Sequence, residues 1–178
     1  MKTKMLIIIA GILLMYWIAC KPVGIIQLYR YELADNLKDS TLYVLLEDNS
    51  ANIQLLQKYN KPKEADKLAK EDSLNNANIK LAFDNNYRFS DFAFVNKELR
   101  SVSPTKTYAF FSIERGISSN ETIINDFLIR LTIINSTRTL TFETSGAMTQ
   151  QAIVFLVKQA NEKLQDLYEL AQKHKTVK

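Results

Sequence analysis

The chain has 178 residues, with 23 basic and 19 acidic side chains, one histidine and one cysteine. That length suits a single domain able to bury a real core, and the scattered charges, with no block of one sign, exclude the basic footprint of a nucleic-acid binder. A lone cysteine allows no intramolecular disulfide, so the fold must rest on its core.

The chain opens on Lys2 and Lys4, followed by the uncharged, largely apolar run Met5–Ala19, then Cys20 and at once Lys21-Pro22. A basic start, an apolar stretch and a small residue before a break are the pattern of an export signal. The run is shorter than the roughly 20 residues that span a bilayer as a helix. Its end, Ile18-Ala19-Cys20, resembles the lipobox of bacterial lipoproteins. The resemblance implies cleavage before Cys20, acylation of Cys20 by chains such as palmitate, and a body in the cell envelope facing the periplasm or the exterior. Each buried methylene contributes about 0.8 kcal/mol, so more than one acyl chain makes a firm anchor. The other reading is an uncleaved signal anchor that continues through Val23–Leu28, with Lys21 snorkelling and Pro22 kinking it. Both readings tether the body to a membrane. Removing Lys2 and Lys4 with the signal leaves 21 basic against 19 acidic residues, close to neutral.

The organisation read from the sequence is therefore a signal peptide or anchor over 1–19, a membrane-proximal connection over 20–40, and one domain over 41–178. The connection carries Ile25, Ile26, Leu28, Tyr29, Tyr31 and Leu33, too apolar for a flexible tether. It is expected to pack on the domain as a strand or a short helix.

Thr41–Glu47 reads as a buried strand, after which Asp48-Asn49-Ser50 offers turn and cap chemistry and Ile53, Leu56 and Tyr59 follow at helical spacing. One helix over 40–59 is the alternative that periodicity leaves open. Pro62 suits the first position of a helix reaching Asp84. Its apolar residues Ala65, Leu68 and Ala69, then Leu74, Ala77 and Leu81, do not share one face, which predicts a bend or restart near Asp72-Ser73. Phe89–Val95 and Lys106–Glu114 read as aromatic strands, separated by a loop at Ser101–Pro104.

Ile123–Ile134 alternates Phe127, Ile129, Leu131 and Ile133 against Asp126, Arg130 and Thr132. Asn135-Ser136 gives a tight turn, and Thr137–Glu143 alternates again, so the two runs predict an antiparallel hairpin. The chain closes on a helix from about Ala147 to Lys173, whose stripe is Ile153, Leu156, Val157, Ala160, Leu164, Leu167, Tyr168 and Ala171. The expected class is α+β: an antiparallel sheet of four to five strands with helices, including this long C-terminal one, packed on one face.

No constellation for catalysis, metal or cofactor stands out. His174 lies in the last helical turn, where a solvated side chain is the expectation, and it has no histidine partner for a metal. The acid pairs Glu47-Asp48 and Glu71-Asp72 read as caps or solvated faces, since adjacent side chains point apart. Thr144–Ala147, between strand and helix, reads as a plain connection with Ser145 as N-cap. The aromatics Tyr87, Phe89, Phe92, Phe94, Tyr108, Phe110 and Phe111 read mainly as core, with one of Phe110 and Phe111 forced to the opposite face.

The function these readings support is a non-catalytic binding or scaffolding module, tethered through Cys20, with a protein partner in the envelope and no nucleic acid. A carboxylate-based hydrolase of envelope polymers and an inhibitor or immunity-type protein are the alternatives. The hydrolase would need a cleft with convergent acids.

Overall fold

The computed structural model describes residues 25–96, 106–115, 127–136 and 138–176. The predicted signal with Cys20 and the loop at Ser101–Pro104 lie outside these residues.

The segment predicted to connect signal and domain holds a helix, α1 (Ile25–Lys38), which buries Leu33, Ala34 and Leu37 on one side. It ends where the Ser40 N–H and hydroxyl both donate to the Leu37 carbonyl. Strand β1 (Thr41–Leu46) follows. Its unbroken apolar run suits a strand buried on both faces, and Leu42, Val44, Leu45 and Leu46 are all buried. A helical hairpin comes next, α2 (Ser50–Lys58) and α3 (Pro62–Asn86), so 40–59 is strand then helix. The hairpin turn is a Schellman motif: Asn60 adopts φ 56°, and the N–H groups of Asn60 and Lys61 donate to the carbonyls of Gln57 and Leu56. Asparagine tolerates that left-handed conformation, and Pro62 then opens α3 at its first turn.

Helix α3 runs its 25 residues, about 37 Å, without the break expected near Asp72-Ser73. Of the two predicted apolar groups only Ala65 is buried, and Leu74, Ala77 and Leu81 are exposed, so no second buried face forces a bend. Ala65 lies in the half of α3 nearer the hairpin turn, whereas Ile79, Ala82 and Phe83 belong to the main core. Strands β2 (Asp91–Asn96), β3 (Thr107–Arg115), β4 (Phe127–Ile134) and β5 (Thr139–Ser145) complete one five-stranded sheet, and α4 (Gln150–Thr176) ends the description.

The sheet order is β2-β1-β3-β4-β5. It is mixed, not antiparallel as expected: β1 is parallel to both β2 and β3, while β3–β4 and β4–β5 are antiparallel. The reason lies in the connections. The α2–α3 hairpin between β1 and β2 is long enough to carry the chain back to the starting edge, as a parallel pair requires. The β4–β5 connection is a tight hairpin, closed by the Asn135 N–H donating to the Arg138 carbonyl and the Arg138 N–H to Asn135 Oδ1.

The register aligns one row of side chains across the strands. Val44 lies beside Ala109, Ala109 opposite Ile133, and Ile133 opposite Leu140; Phe111, Leu131 and Phe142 form the next row. These residues share one core cluster with Leu33 and Leu37 of α1, Ile79 and Phe83 of α3, and Ile153, Leu156, Val157, Ala160 and Leu164 of α4, Phe142 packing at its margin. All but one of the predicted stripe residues of α4 are buried, Tyr168 being half-buried. The far end of α4 is pinned to α1 by Lys175 and Gln172, which donate to Asp35 at 2.7 and 2.9 Å. No helix among the described residues is long and apolar enough to cross a membrane.

Candidate functional site

Three places gather polar chemistry, and they differ in what their side chains are free to do. The first lies where β1 leaves the sheet. Asn76 of α3 bonds both backbone groups of Glu47, accepting from its N–H at 2.8 Å and donating to its carbonyl at 2.9 Å. Asp72 accepts from the Asn49 N–H and amide side chain at 3.0 and 2.7 Å, and Asn75 donates to the Glu47 carboxylate at 2.9 Å. Asp48 accepts from the Ser50 N–H, which with the Ser50 side chain holds its carboxyl below the usual range.

Three of the four acids from the predicted pairs thus converge, each engaged with an amide or a backbone donor. The fourth, Glu71, pairs with Lys67 along the helix at 3.7 Å. The arrangement ties the end of β1 to the middle of α3 and satisfies backbone groups that the sheet has left behind. In an open parallel sheet, ligands sit outside the carboxyl ends of the strands. Here that position is filled by structural hydrogen bonds.

The second place is a basin of about 740 Å³ at the amino ends of β1 and β2, lined by Lys38, Asp39, Ser40 and Tyr87–Phe92. Its cations are turned onto carbonyls and rings. Lys38 Nζ donates to the Phe89 carbonyl at 2.8 Å and lies 4.9 Å from the Phe89 ring centroid. Arg88 donates to the Tyr87 carbonyl at 2.6 Å, and its own N–H is held by Asn161 Oδ1 of α4. Beneath the basin, Phe83, Tyr87, Phe92 and Phe94 form a ring cluster with centroids 5.4–6.4 Å apart. Of the aromatics predicted as core, Tyr87 and Phe89 are buried in it, and Phe92 and Phe94 are partly buried against it. Phe111 is buried, and Phe110 lies on the opposite face, half-buried.

Tyr87 is buried, with its hydroxyl 3.0 Å from Ser90 Oγ. Burial pushes its phenol well above the ordinary value of 10, the Ser90 hydrogen bond opposing in part. The folded chain therefore keeps a proton that the unfolded chain releases above about pH 10. The contribution is fully present below about pH 10 and declines above it by about 1.4 kcal/mol per pH unit. Tyr87→Phe is expected to flatten that alkaline decline, and the same change at exposed Tyr59 to leave it intact. Denaturant unfolding at a series of pH values between roughly 9 and 11.5 measures both.

The third place is a groove of about 450 Å³ between β5 and α4, lined by Leu140–Glu143 and by Gln159, Glu162, Lys163 and Asp166. The four helix residues recur at helical spacing and form one stripe beside the strand. Glu143 pairs with Arg130 across the neighbouring strand.

His174 sits in the last turn of α4 and packs on Tyr31 of α1, with ring centroids 5.7 Å apart. Ser145 is not the N-cap of α4. It remains in β5, paired with Leu128, and the cap is Thr149, whose hydroxyl accepts from the Ala152 N–H at 3.3 Å. Gly146, at φ 117°, makes the turn between them. No group of three or more potential metal ligands occurs among the described residues. Sequence reading gives Asn49 only turn and cap chemistry and passes over Asn75 and Asn76; the one available signal for the latter two is the density of asparagines in a helix, where they disfavour helix unless their amides are used elsewhere. Compared with family models, with curated proteins and with solved structures, the chain matches none.

Proposed function

We propose that this chain is a membrane-tethered lipoprotein of a bacterial envelope, acylated at Cys20, whose body is a non-catalytic binding or scaffolding module for a protein partner facing the periplasm or the exterior. The observation that carries the reading is the lipobox-like Ile18-Ala19-Cys20 at the end of the uncharged run Met5–Ala19, with the chain's single cysteine at the position to be acylated. The body supports a binding role through its chemistry. Its gathered acids, Glu47, Asp48 and Asp72, hold backbone and amide groups of the fold, an arrangement that favours rigidity over proton transfer.

In the same reading, α1, α3 and α4 pack on a single face of the sheet. The shared parity of the buried strand residues Leu42, Val44, Ala109, Leu131 and Ile133 supports this, with Leu45 and Tyr108 the buried residues of opposite parity. The sheet edge is then left to meet a partner.

The test is metabolic labelling with palmitate. Wild-type protein is expected to take the label and to show a mature N-terminus at Cys20, and Cys20→Ser to take none. Unlabelled wild-type protein with an intact Met1 makes the N-terminus a spanning anchor and removes the lipoprotein reading.

A further inference from the structure

We propose that the outer edge of β5, with the α4 stripe beside it, docks an extended lysine- or arginine-bearing segment of a partner protein, which joins the sheet as a sixth strand. The inference rests on the reading of the body as a binding module and names its site and the chemistry of its partner.

The first ground is the backbone. In an antiparallel pair, hydrogen-bonded and non-hydrogen-bonded residue pairs alternate. The Asn135–Arg138 bond closes the hairpin. Counting by twos from it makes Ile133–Leu140, Leu131–Phe142 and Ile129–Thr144 the bonded pairs. The N–H and C=O groups of Thr139, Thr141, Glu143 and Ser145 therefore point away from β4. No strand pairs with that side among the described residues. Edge strands are commonly blunted by lysine, proline or a bulge. β5 runs Thr-Leu-Thr-Phe-Glu-Thr-Ser with no lysine or proline, its pairing with β4 is continuous, and its one charge is matched by Arg130. Such an edge is a template for strand addition.

The second ground is charge. A strand laid beside β5 places alternate side chains over the groove toward α4. There they meet half-buried Phe142 and the exposed Glu162, Lys163 and Asp166, two carboxylates against one ammonium. Phe155, 48 % exposed, sits one turn before Gln159 on the same stripe and extends the groove with an apolar end. Lysine or arginine in the incoming strand would answer Glu162 and Asp166. A second copy of this chain, paired edge to edge, would bring the same acids toward one another.

The test uses full-length protein in detergent and two fluorescein-labelled heptapeptides, Thr-Lys-Thr-Val-Thr-Lys-Thr and Thr-Glu-Thr-Val-Thr-Glu-Thr, followed by anisotropy. The lysine peptide is expected to bind at least about tenfold more tightly than the glutamate peptide, a difference of about 1.4 kcal/mol. Glu162→Lys with Asp166→Lys, both on the exposed side of α4, should reverse that preference. Thr141→Pro, which removes one outward N–H, should weaken the lysine peptide about tenfold.

Equal binding of the two peptides, indifference to both variants, or no binding at millimolar lysine peptide overturns the proposal. Sedimentation showing a dimer that Thr141→Pro dissolves overturns it too, and assigns the edge to a second copy. The two readings fail separately: palmitate label on Cys20 does not depend on the edge, and an unlabelled protein that binds the lysine peptide loses only its lipid anchor.

Discussion

Phe83→Ala is expected to lower the unfolding free energy by about 3–5 kcal/mol, the cost of removing a fully buried aromatic side chain and leaving a cavity. Phe83 is 1 % exposed in α3, and its ring lies 5.4, 5.7 and 6.4 Å from those of Tyr87, Phe92 and Phe94. It joins the helix to β2 and the segment leading into it. No small shift of one neighbour can refill its volume, because the surrounding rings pack on one another as well as on it. At about 2–4 °C per kcal/mol for a chain of this size, the melting temperature should fall by roughly 6–20 °C. Leu81→Ala, two residues away on the same helix but exposed, should change stability by no more than about 0.5 kcal/mol. Thermal and denaturant unfolding of the two variants measure the contrast. Equal losses would mean that the ring cluster does not carry the junction of α3 with the sheet.

A chain cut to begin at Thr41 is expected to lose cooperative folding altogether, whereas one beginning at Lys21 keeps it. The segment ahead of β1 supplies α1, whose Leu33, Ala34 and Leu37 are at most 1 % exposed. Burying each of the two leucines contributes about 1.5–3 kcal/mol, and their removal also exposes the surfaces of α4 and the sheet that they cover. Three polar ties disappear with them: Lys38 to the Phe89 carbonyl, Asp35 to Gln172 and Lys175, and Glu32 to Arg138. The sum approaches the 5–15 kcal/mol by which whole domains are stable. Circular dichroism during heating distinguishes the outcomes. A transition of undiminished midpoint in the chain from Thr41 would show that α1 is dispensable. Were Cys20 acylated as proposed, the few residues between it and the first turn of α1 would hold the body close to the bilayer.

Several elements were legible because their signals are local. The stripe of α4 recurs at helical spacing within one segment. The alternations of β4 and β5 meet at Asn135, and both follow from periods of 3.6 and 2 that need no knowledge of the rest of the chain. Pro62 at the start of α3 and the strand at Thr41–Leu46 belong to the same class.

What only the tertiary structure decided are relations between distant residues. The parallel pairing of β1 with both β2 and β3, the continuity of α3 through Asp72, and the meeting of Glu47 with Asn76 across 29 positions depend on which surfaces come together, not on any local period. Strand β5 itself is plain in the sequence. That its outer side is an edge became apparent only with the order of the sheet, since an edge is defined by the neighbour a strand lacks.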